Sequence, residues 1–205
     1  MSRTKTYDEA AVLSAAMHTF RARGYAGTSI KDLEQATGLR SGSLYHGYRD
    51  KQALFGAALA YYNETVVKGR IGHHLPAGAG LAGLHKLFRS LLQEPEGGRH
   101  GCLLTNSAIE LGPAGGEALA GVHEGLGLLR QAFENSLQEA HVAGQLAPSA
   151  SPAALALRLL ALYQGLLVLV RGGRPDSELA PLIDAEFAAL AVKPAAKPEP
   201  KRKST

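Results

Sequence analysis

The sequence contains a single cysteine, Cys102, among its 205 residues. One thiol cannot form a disulfide within the chain, which is typical of proteins from a reducing compartment. The first ten residues, MSRTKTYDEA, are polar and lack the apolar centre of a signal peptide. The longest apolar run, residues 159–170, is interrupted by Gln164 and is shorter than the ~20 residues that span a bilayer. We therefore expect a soluble, cytoplasmic protein with no membrane partner.

Clear runs of alternating apolar and polar residues, the pattern of β-strands, are also missing. Apolar residues recur instead at helical spacing, as Leu13, Ala16, Met17 and Phe20 do at positions i, i+3, i+4 and i+7. Hydrophobic residues make up 45% of the chain, which is enough for a sizeable core. These patterns predict an all-α fold of about nine helices.

Four helices are predicted in roughly the first third of the chain, and the second and third of them are short. A capping box formed by Thr6 and Glu9 starts the first helix, and Gly38 ends the second after about two turns. Two short helices joined by a tight glycine turn and packed on a longer first helix form a helix-turn-helix pattern. The predicted starts, in chain order, are Thr6, Ser29, Ser41 or Ser43, and Asp50.

Longer helices follow, near residues 80–94, 102–112, 115–143, 152–171 and 177–192, with Pro and Gly clusters between them. The final segment, KPAAKPEPKRKST, is rich in Pro and Lys and has no apolar face, so we expect it to be disordered. The predicted organisation is a helix-turn-helix domain with its connecting fourth helix at 6–66, an effector-binding and dimerisation domain at 67–192, and a disordered basic tail at 193–205.

Charge is distributed unevenly along the chain. Residues 1–51 hold eight Lys/Arg against five Asp/Glu, residues 52–192 hold nine against twelve, and residues 193–205 hold five against one. The front and the tail are therefore basic, while the middle is acidic. This pattern indicates that a polyanionic partner would meet the ends of the chain.

The glycines and aromatics of the first 55 residues resemble the TetR family of bacterial transcriptional repressors. This likeness covers about a quarter of the chain and is more specific than a generic helix-turn-helix pattern; the remainder resembles the family only in its number of helices. The residues that carry it are Phe20, Gly24, Tyr25, Thr28, Ser29, Ile30, Leu33, Ala36, Gly38, Leu39, Ser41, Gly42, Leu44, Tyr45, Tyr48, Lys51, Leu54 and Phe55.

The third predicted helix carries polar side chains that suit the major groove of DNA, which is ~12 Å wide. Gly42 allows its backbone to approach the DNA closely. Lys51, at the start of the fourth helix, and the hydroxyls of Thr28 and Ser29 suit phosphate oxygens. The predicted DNA-binding residues are Thr28, Ser29, Lys31, Arg40, Ser41, Gly42, Ser43, Tyr45, His46 and Lys51.

The family resemblance divides part of this set by role. It implies that Lys31, Ser41 and Ser43 lie near the bases of a double-stranded DNA operator. It also implies that Tyr45 and Lys51 contact the DNA backbone.

Gly47 departs from the family pattern, in which many members carry a histidine or another polar side chain that binds phosphate. The neighbouring His46 points about 100° away around the helix. Glycine costs little near the end of a helix, which is one explanation. The alternatives are a lost phosphate contact, for which Gly47→His should raise DNA affinity, and a close approach to DNA that leaves no room for a side chain.

Other motifs in the sequence do not indicate a cofactor, metal or catalytic site. Residues 78–83, GAGLAG, match a dinucleotide fingerprint, but no strand precedes them. His73 and His74 are adjacent and diverge on a helix, and His100 with Cys102 offers at most two metal ligands. No nucleophile–base pair is recognisable. We expect no catalytic residues, no metal and no cofactor.

Polar residues on otherwise apolar helices of the second domain are candidates for an effector pocket with apolar walls. The eighth predicted helix is apolar on more than one face, which favours pairing with a second copy of the chain, together with the ninth helix. The predicted pocket residues are Phe88, Leu92, Cys102, Asn106, Glu110, His123, Leu126, Phe133 and Tyr163. The predicted homodimer residues are Leu155, Leu159, Leu162, Leu166, Val170, Leu179, Leu182, Ile183 and Phe187.

Cys102 stands at the start of a predicted helix, close to Arg99 and His100, which would favour its thiolate. This arrangement resembles TetR-type repressors that sense electrophiles or oxidants through a lone cysteine. A small buried apolar side chain is the alternative.

The resemblance as a whole implies a dimeric repressor that binds a palindromic operator and responds to a small-molecule or electrophile effector. The effector would act by pushing the fourth helix. Two alternatives stay open: a helical-bundle enzyme with vestigial DNA binding, and a DNA-organising protein without a ligand.

Overall fold

The computed structural model describes residues 7–93 and 100–192, and all the regular secondary structure in these ranges is helical. This confirms the all-α prediction. Thr6 and the predicted tail at 193–205 lie outside the described residues. The helices are α1 (Glu9–Arg23), α2 (Ile30–Thr37), α3 (Ser41–Tyr48), α4 (Lys51–Tyr62, continued by the π-helical turn Asn63–Val67 and by Lys68–His74), α5 (Gly80–Arg89), α6 (Leu103–Leu111), α7 (Gly116–Val142), α8 (Pro152–Arg171) and α9 (Asp176–Leu190).

The N-cap residues of α1, α2 and α4 cap their helices through their side chains, whereas Arg40, the N-cap residue of α3, does not. The carboxylate of Asp8 accepts the N–H groups of Ala10 and Ala11, at 2.9 and 3.3 Å, so the cap of α1 lies two residues after the predicted cap at Thr6. The predicted cap of α2 is present as a full capping box between Ser29 and Asp32. These caps satisfy N–H groups that have no partner within the helix.

An aromatic cluster holds the N-terminal unit together. Phe20 of α1 and Phe55 of α4 are buried and meet edge to face, with ring centroids 4.8 Å apart. The ring of Tyr25, in the α1–α2 loop, lies 5.0 Å from that of Phe55. Burying each of these side chains contributes about 1.5–3 kcal/mol. The cluster therefore fixes α1 against α4, the helix that leads into the second domain.

The C-terminal bundle is built around α7, the longest of the described helices at 27 residues. Helix α8 packs on α7 with one stripe of buried residues, Ala156, Leu159, Tyr163 and Leu166, at helical spacing. Helix α5 covers another side of α7, and α9 packs on α5. Between them lies a core of four aromatic rings, those of Phe88, Phe133, Tyr163 and Phe187, with neighbouring centroids 5.2–5.8 Å apart.

Helix α8 is unusually apolar for its environment. It has 20 residues, and an 18-residue window within it has a mean hydropathy of 2.0, enough by length and composition for a membrane span, yet only 22% of that window is buried within the chain. Its outer face carries Leu157, Ala161, Gly165 and Val168, all exposed. An apolar face of this kind on a helix that also packs in a core indicates a contact with another surface.

Candidate DNA-binding surface and effector cavity

The turn between α2 and α3 depends on Gly38, whose φ of 70° is left-handed. Leu44 is buried behind α3 and anchors the helix to the core. The polar residues predicted to contact DNA therefore face outward. Arg40, Gly42, Ser43, Tyr45 and His46 are exposed around α3, and Lys31 is exposed at the start of α2.

Glu34 fixes the start of α3, a role that the sequence did not suggest. Its carboxylate accepts the N–H of Ser41 at 2.5 Å, which places a negative charge at the N-terminus of α3. The half-buried Ser41 is thereby held at the base of the exposed surface. The only signal in the sequence is a carboxylate seven residues before a helix start, which is too common a pattern to be diagnostic.

Two of the predicted phosphate ligands form contacts within the protein. The side chain of Thr28 is buried, at 1% exposure, and its hydroxyl donates to the carbonyl of Gly24 at 2.6 Å, so the prediction for Thr28 is wrong. Ser29 is exposed, but its hydroxyl donates to the carboxylate of Asp32 at 2.6 Å. These hydrogen bonds, with Arg23 nearby, hold the pKa of Asp32 below its usual value. Any contact of Ser29 with DNA competes with its capping role.

Lys51 is half-buried, and its ammonium lies over the ring of Tyr25, 4.4 Å from the centroid. This cation–π contact limits the directions in which a flexible lysine can point. Lys51 is the first residue of α4, which the carboxylate of Asp50 caps through the N–H of Ala53 at 2.8 Å. The ammonium is therefore held near the exposed surface of α3.

The space beside Gly47 is occupied by Tyr7, which none of the three sequence explanations considered. A Cβ at position 47 would collide with the Tyr7 hydroxyl oxygen. That oxygen is buried and has no hydrogen-bond partner within the part of the chain that the structure describes. The expected gain in DNA affinity from Gly47→His is therefore corrected: any side chain at Gly47 must first displace Tyr7.

A cavity of about 30 Å³ lies between α4, α7, α8 and the two residues that precede α6. The hydroxyl of Tyr62 donates to Sγ of Cys102 at 3.4 Å, and both residues are buried. Burial, followed by the neighbouring thiol, raises the pKa of Tyr62 well above its usual value. The cavity is lined by Tyr62, Val66, Val67, Arg70, Leu91, Gly101, Cys102, Leu129, Tyr163 and Leu167.

Two of the nine predicted pocket residues, Cys102 and Tyr163, line this cavity. The others do not. Phe88 and Phe133 are packed in the aromatic core, Leu92 and Leu126 pack against it, and His123 is exposed on α7. Asn106 and Glu110 face the DNA-binding unit instead. For Asn106 and Glu110 the cause is their shared side of α6, which contacts α1 and the α1–α2 loop rather than the cavity.

Five of the nine predicted dimer residues point into the bundle and cannot contact a second copy. They belong to the stripes that pack α8 on α7 and α9 on α5. Four predicted residues remain available to a dimer interface: the half-buried Leu155, Leu162 and Val170 and the exposed Leu182. The dimer prediction is wrong for the five buried residues, all 0–6% exposed: Leu159, Leu166, Leu179, Ile183 and Phe187.

Comparison with known families gives matches to both parts of the chain. Residues 12–58 match the family described as "Bacterial regulatory proteins, tetR family". Residues 79–186 match "Tetracyclin repressor-like, C-terminal domain". The two matches together include all of α2, α3, α5, α6, α7 and α8.

Curated relatives are similar over most of their length. The "Uncharacterized HTH-type transcriptional regulator YezE" of Bacillus subtilis is 32% identical over 149 residues, which cover 71% of this chain and 76% of YezE. The "HTH-type transcriptional repressor ComR" of Escherichia coli is 25% identical over 174 residues, 83% of each chain.

Solved structures share the fold. Reduced NemR of E. coli superposes with a TM-score of 0.79 at 20% identity, over 90% of this chain and 97% of NemR. A cysteine mutant of the TetR-family regulator CifR, solved with 26-bp double-strand operator DNA, superposes with a TM-score of 0.78 at 26% identity, over 91% of this chain and 99% of CifR.

Proposed function

Because the chain belongs to the TetR family of bacterial regulatory proteins, we propose that it represses transcription as a homodimer bound to a palindromic operator. The relatives named above are transcriptional regulators, and this chain is likewise a DNA-binding regulator and not an enzyme. The exposed polar surface of α3 carries the proposal. Residues 6–66 form its DNA-binding domain, 67–192 its effector-binding and dimerisation domain, and we place it in the cytoplasm.

Base contacts come from the outward side of α3 and the start of α2. Arg40, Ser43 and His46 are exposed and can donate to base edges, with Lys31 beside them. Lys51 and Tyr45 contribute contacts to phosphate, which are independent of sequence. Both recognition helices of a dimer must meet successive major grooves, about 34 Å apart. Their spacing is therefore the quantity that an effector has to change.

The homodimer forms through the exposed faces of α8 and α9. The α8 face has leucine and valine at its ends and the small residues Ala161 and Gly165 at its centre, so two helices can approach closely. A Cβ at Gly165 would meet open space within the single chain. Exposed Leu182 extends the face onto α9. Pairing these faces around a two-fold axis buries the apolar surface that the single chain leaves open.

The effector acts at the cavity beside Cys102. A volume of about 30 Å³ holds about one water, whereas pockets for small molecules measure ~300–1,000 Å³. A ligand therefore has to move α4 away from the segment of Gly101 and Cys102 before α6, or a small electrophile has to alkylate the thiol and take up the space. Either event moves α4, which begins at Lys51 in the DNA-binding domain.

Selection of binding sites from a genomic fragment library tests the proposed function. The purified chain should enrich one inverted repeat and protect it in footprinting, and its affinity should fall steeply with salt. Protection of every fragment alike would indicate a DNA-organising protein, and no protection at all would contradict DNA binding. Arg40→Ala, on the exposed surface, should change the recovered repeat, whereas Arg130→Ala, exposed on α7, should not.

A further inference from the structure

We propose that Glu110, in the C-terminal domain, positions Lys51 for its phosphate contact by way of Tyr25. This inference rests on the proposed function. It gives the two domains a second connection besides α4. Its parts are a carboxylate on α6, two backbone N–H groups in the α1–α2 loop, and the ring that carries the Lys51 ammonium.

The carboxylate of Glu110 holds the loop with both oxygens. Oε2 accepts the N–H of Tyr25 at 2.8 Å, and Oε1 accepts the N–H of Ala26 at 2.6 Å. Hydrogen bonds to an ionised acceptor are about twice as strong as neutral ones. Gly24 makes this approach possible, because a Cβ there would lie 2.7 Å from Oε2 and its φ is 78°. We call this arrangement the Glu110 clasp.

Further contacts bind the same end of α1 to α6. Nε of Arg21 donates to the carbonyl of Gly101 at 2.6 Å, just before α6 begins. The amide of Asn106 donates to the carbonyls of Arg21 and His100, at 3.3 and 2.8 Å. Asn106 and Glu110 are four residues apart and share one face of α6. That face is therefore directed at the DNA-binding domain rather than at the effector cavity.

The clasp reaches the DNA-binding surface through one side chain. The backbone of Tyr25 is held by Glu110, and its ring lies under the ammonium of Lys51 and packs against Phe55. A loop freed from Glu110 leaves the ring, and hence the ammonium, less ordered. A less ordered Lys51 loses more conformational entropy on binding phosphate, so it makes that contact for only part of the time and the affinity falls.

The clasp also connects the cavity to the operator. Cys102 directly precedes α6 and lines the cavity, while Glu110 lies near the end of the same helix. A nine-residue helix moves as a rod, so a shift at Cys102 is carried to Glu110. Effector binding at the cavity therefore releases Lys51 without any need for the effector to touch the DNA-binding domain.

A double-mutant cycle in the full-length chain tests the proposal. Glu110→Gln keeps the size of the side chain but presents an NH₂ group to one of the two N–H donors. Affinity for the operator should fall about tenfold, since a dimer has two clasps. Adding Lys51→Ala to Glu110→Gln should then cost much less than Lys51→Ala costs alone. The slope of log affinity against log salt should flatten in Glu110→Gln as it does in Lys51→Ala.

Glu139→Gln is the matched control, because Glu139 accepts a backbone N–H from Gly78 at 3.1 Å within the C-terminal domain. It should leave affinity and slope unchanged. If Glu110→Gln behaves like the control, raises affinity, or adds fully to Lys51→Ala, the proposal is overturned. Glu110→Asp, which keeps the charge but shortens the reach, replaces it should the glutamine variant not fold. A wild-type chain that selects no repeat contradicts the proposed function, and the clasp with it.

Discussion

Gly47 and Tyr7 should behave as a coupled pair when the stability of the protein is measured. Gly47→Ala adds helix propensity of about 1 kcal/mol but drives a methyl group into the Tyr7 hydroxyl. Overpacking of this kind costs about 1–3 kcal/mol, so the single variant should lose up to about 2 kcal/mol.

Tyr7→Phe removes the colliding oxygen. The next ring atom, Cζ, lies 3.7 Å from the position of the new Cβ, which is an ordinary contact. The hydroxyl has no hydrogen-bond partner among the described residues, so Tyr7→Phe alone should change stability by less than about 0.5 kcal/mol. In its background Gly47→Ala should stabilise by about 1 kcal/mol, which gives a coupling of about 1–3 kcal/mol.

Urea unfolding at one fixed protein concentration measures the four variants, because the stability of a dimer depends on concentration. Gly56→Ala, in α4, is the control. A Cβ there would meet nothing within 4 Å, so it should stabilise the wild-type and the Tyr7→Phe backgrounds equally. If Gly47→Ala stabilises both backgrounds to the same extent, Tyr7 does not occupy the space beside α3 and the reasoning is refuted.

Four further predictions concern DNA, dimer, effector and pH. Lys51→Ala should lower affinity for all DNA sequences alike, measured by fluorescence anisotropy; a changed base preference would contradict a phosphate role. Leu182→Glu should shift dimers to monomers in sedimentation at micromolar concentration, and an unchanged dimer would count against the α8–α9 interface. N-ethylmaleimide should release the wild type from DNA but leave Cys102→Ser bound; equal release of the two, or of neither, would contradict a sensing role for Cys102. Hydrogen bonds from Ser29 lower the pKa of Asp32, so its contribution to stability is complete above a pH of about 4 and is lost as the pH falls through the lowered pKa. Acid titration of Asp32→Asn should lack that loss, and an unchanged acid profile would contradict the cap.

Local patterns in the sequence were sufficient for most helix boundaries. Ser29 and Asp32 are three residues apart, and Asp50 directly precedes the helix that it caps, so the predictions for α2 and α4 needed no tertiary information. The exposed polar side of α3 follows from the same spacing. The prediction for Thr28 failed because its side chain is buried and its hydroxyl donates to the carbonyl of Gly24, four residues earlier.

The long-range contacts could not be predicted. Tyr7 and Gly47 are 40 positions apart and meet because the start of α1 lies beside the end of α3, where the hydroxyl of Tyr48 donates to Glu9 at 3.4 Å. Glu110 and Tyr25 are separated by 85 positions. For α8 the periodicity indicated two apolar faces but not which of them packs on α7, and the prediction placed the large leucines of the inner face at the dimer surface. Burial of one face against a neighbouring helix is a property of the folded chain.

The π-helical turn at Asn63–Val67 is a place where α4 can lose one residue without rotating the segments on either side of it. Here the N–H of Lys68 donates to the carbonyl of Asn63, five residues earlier, so the turn takes up one residue more than an α-helix would. Deleting exposed Thr65 would allow the ordinary pattern to continue while the flanking segments keep their faces. A deletion elsewhere in α4 would rotate one domain against the other by about 100°. Relatives that lack one residue at this point can therefore keep the same arrangement of domains.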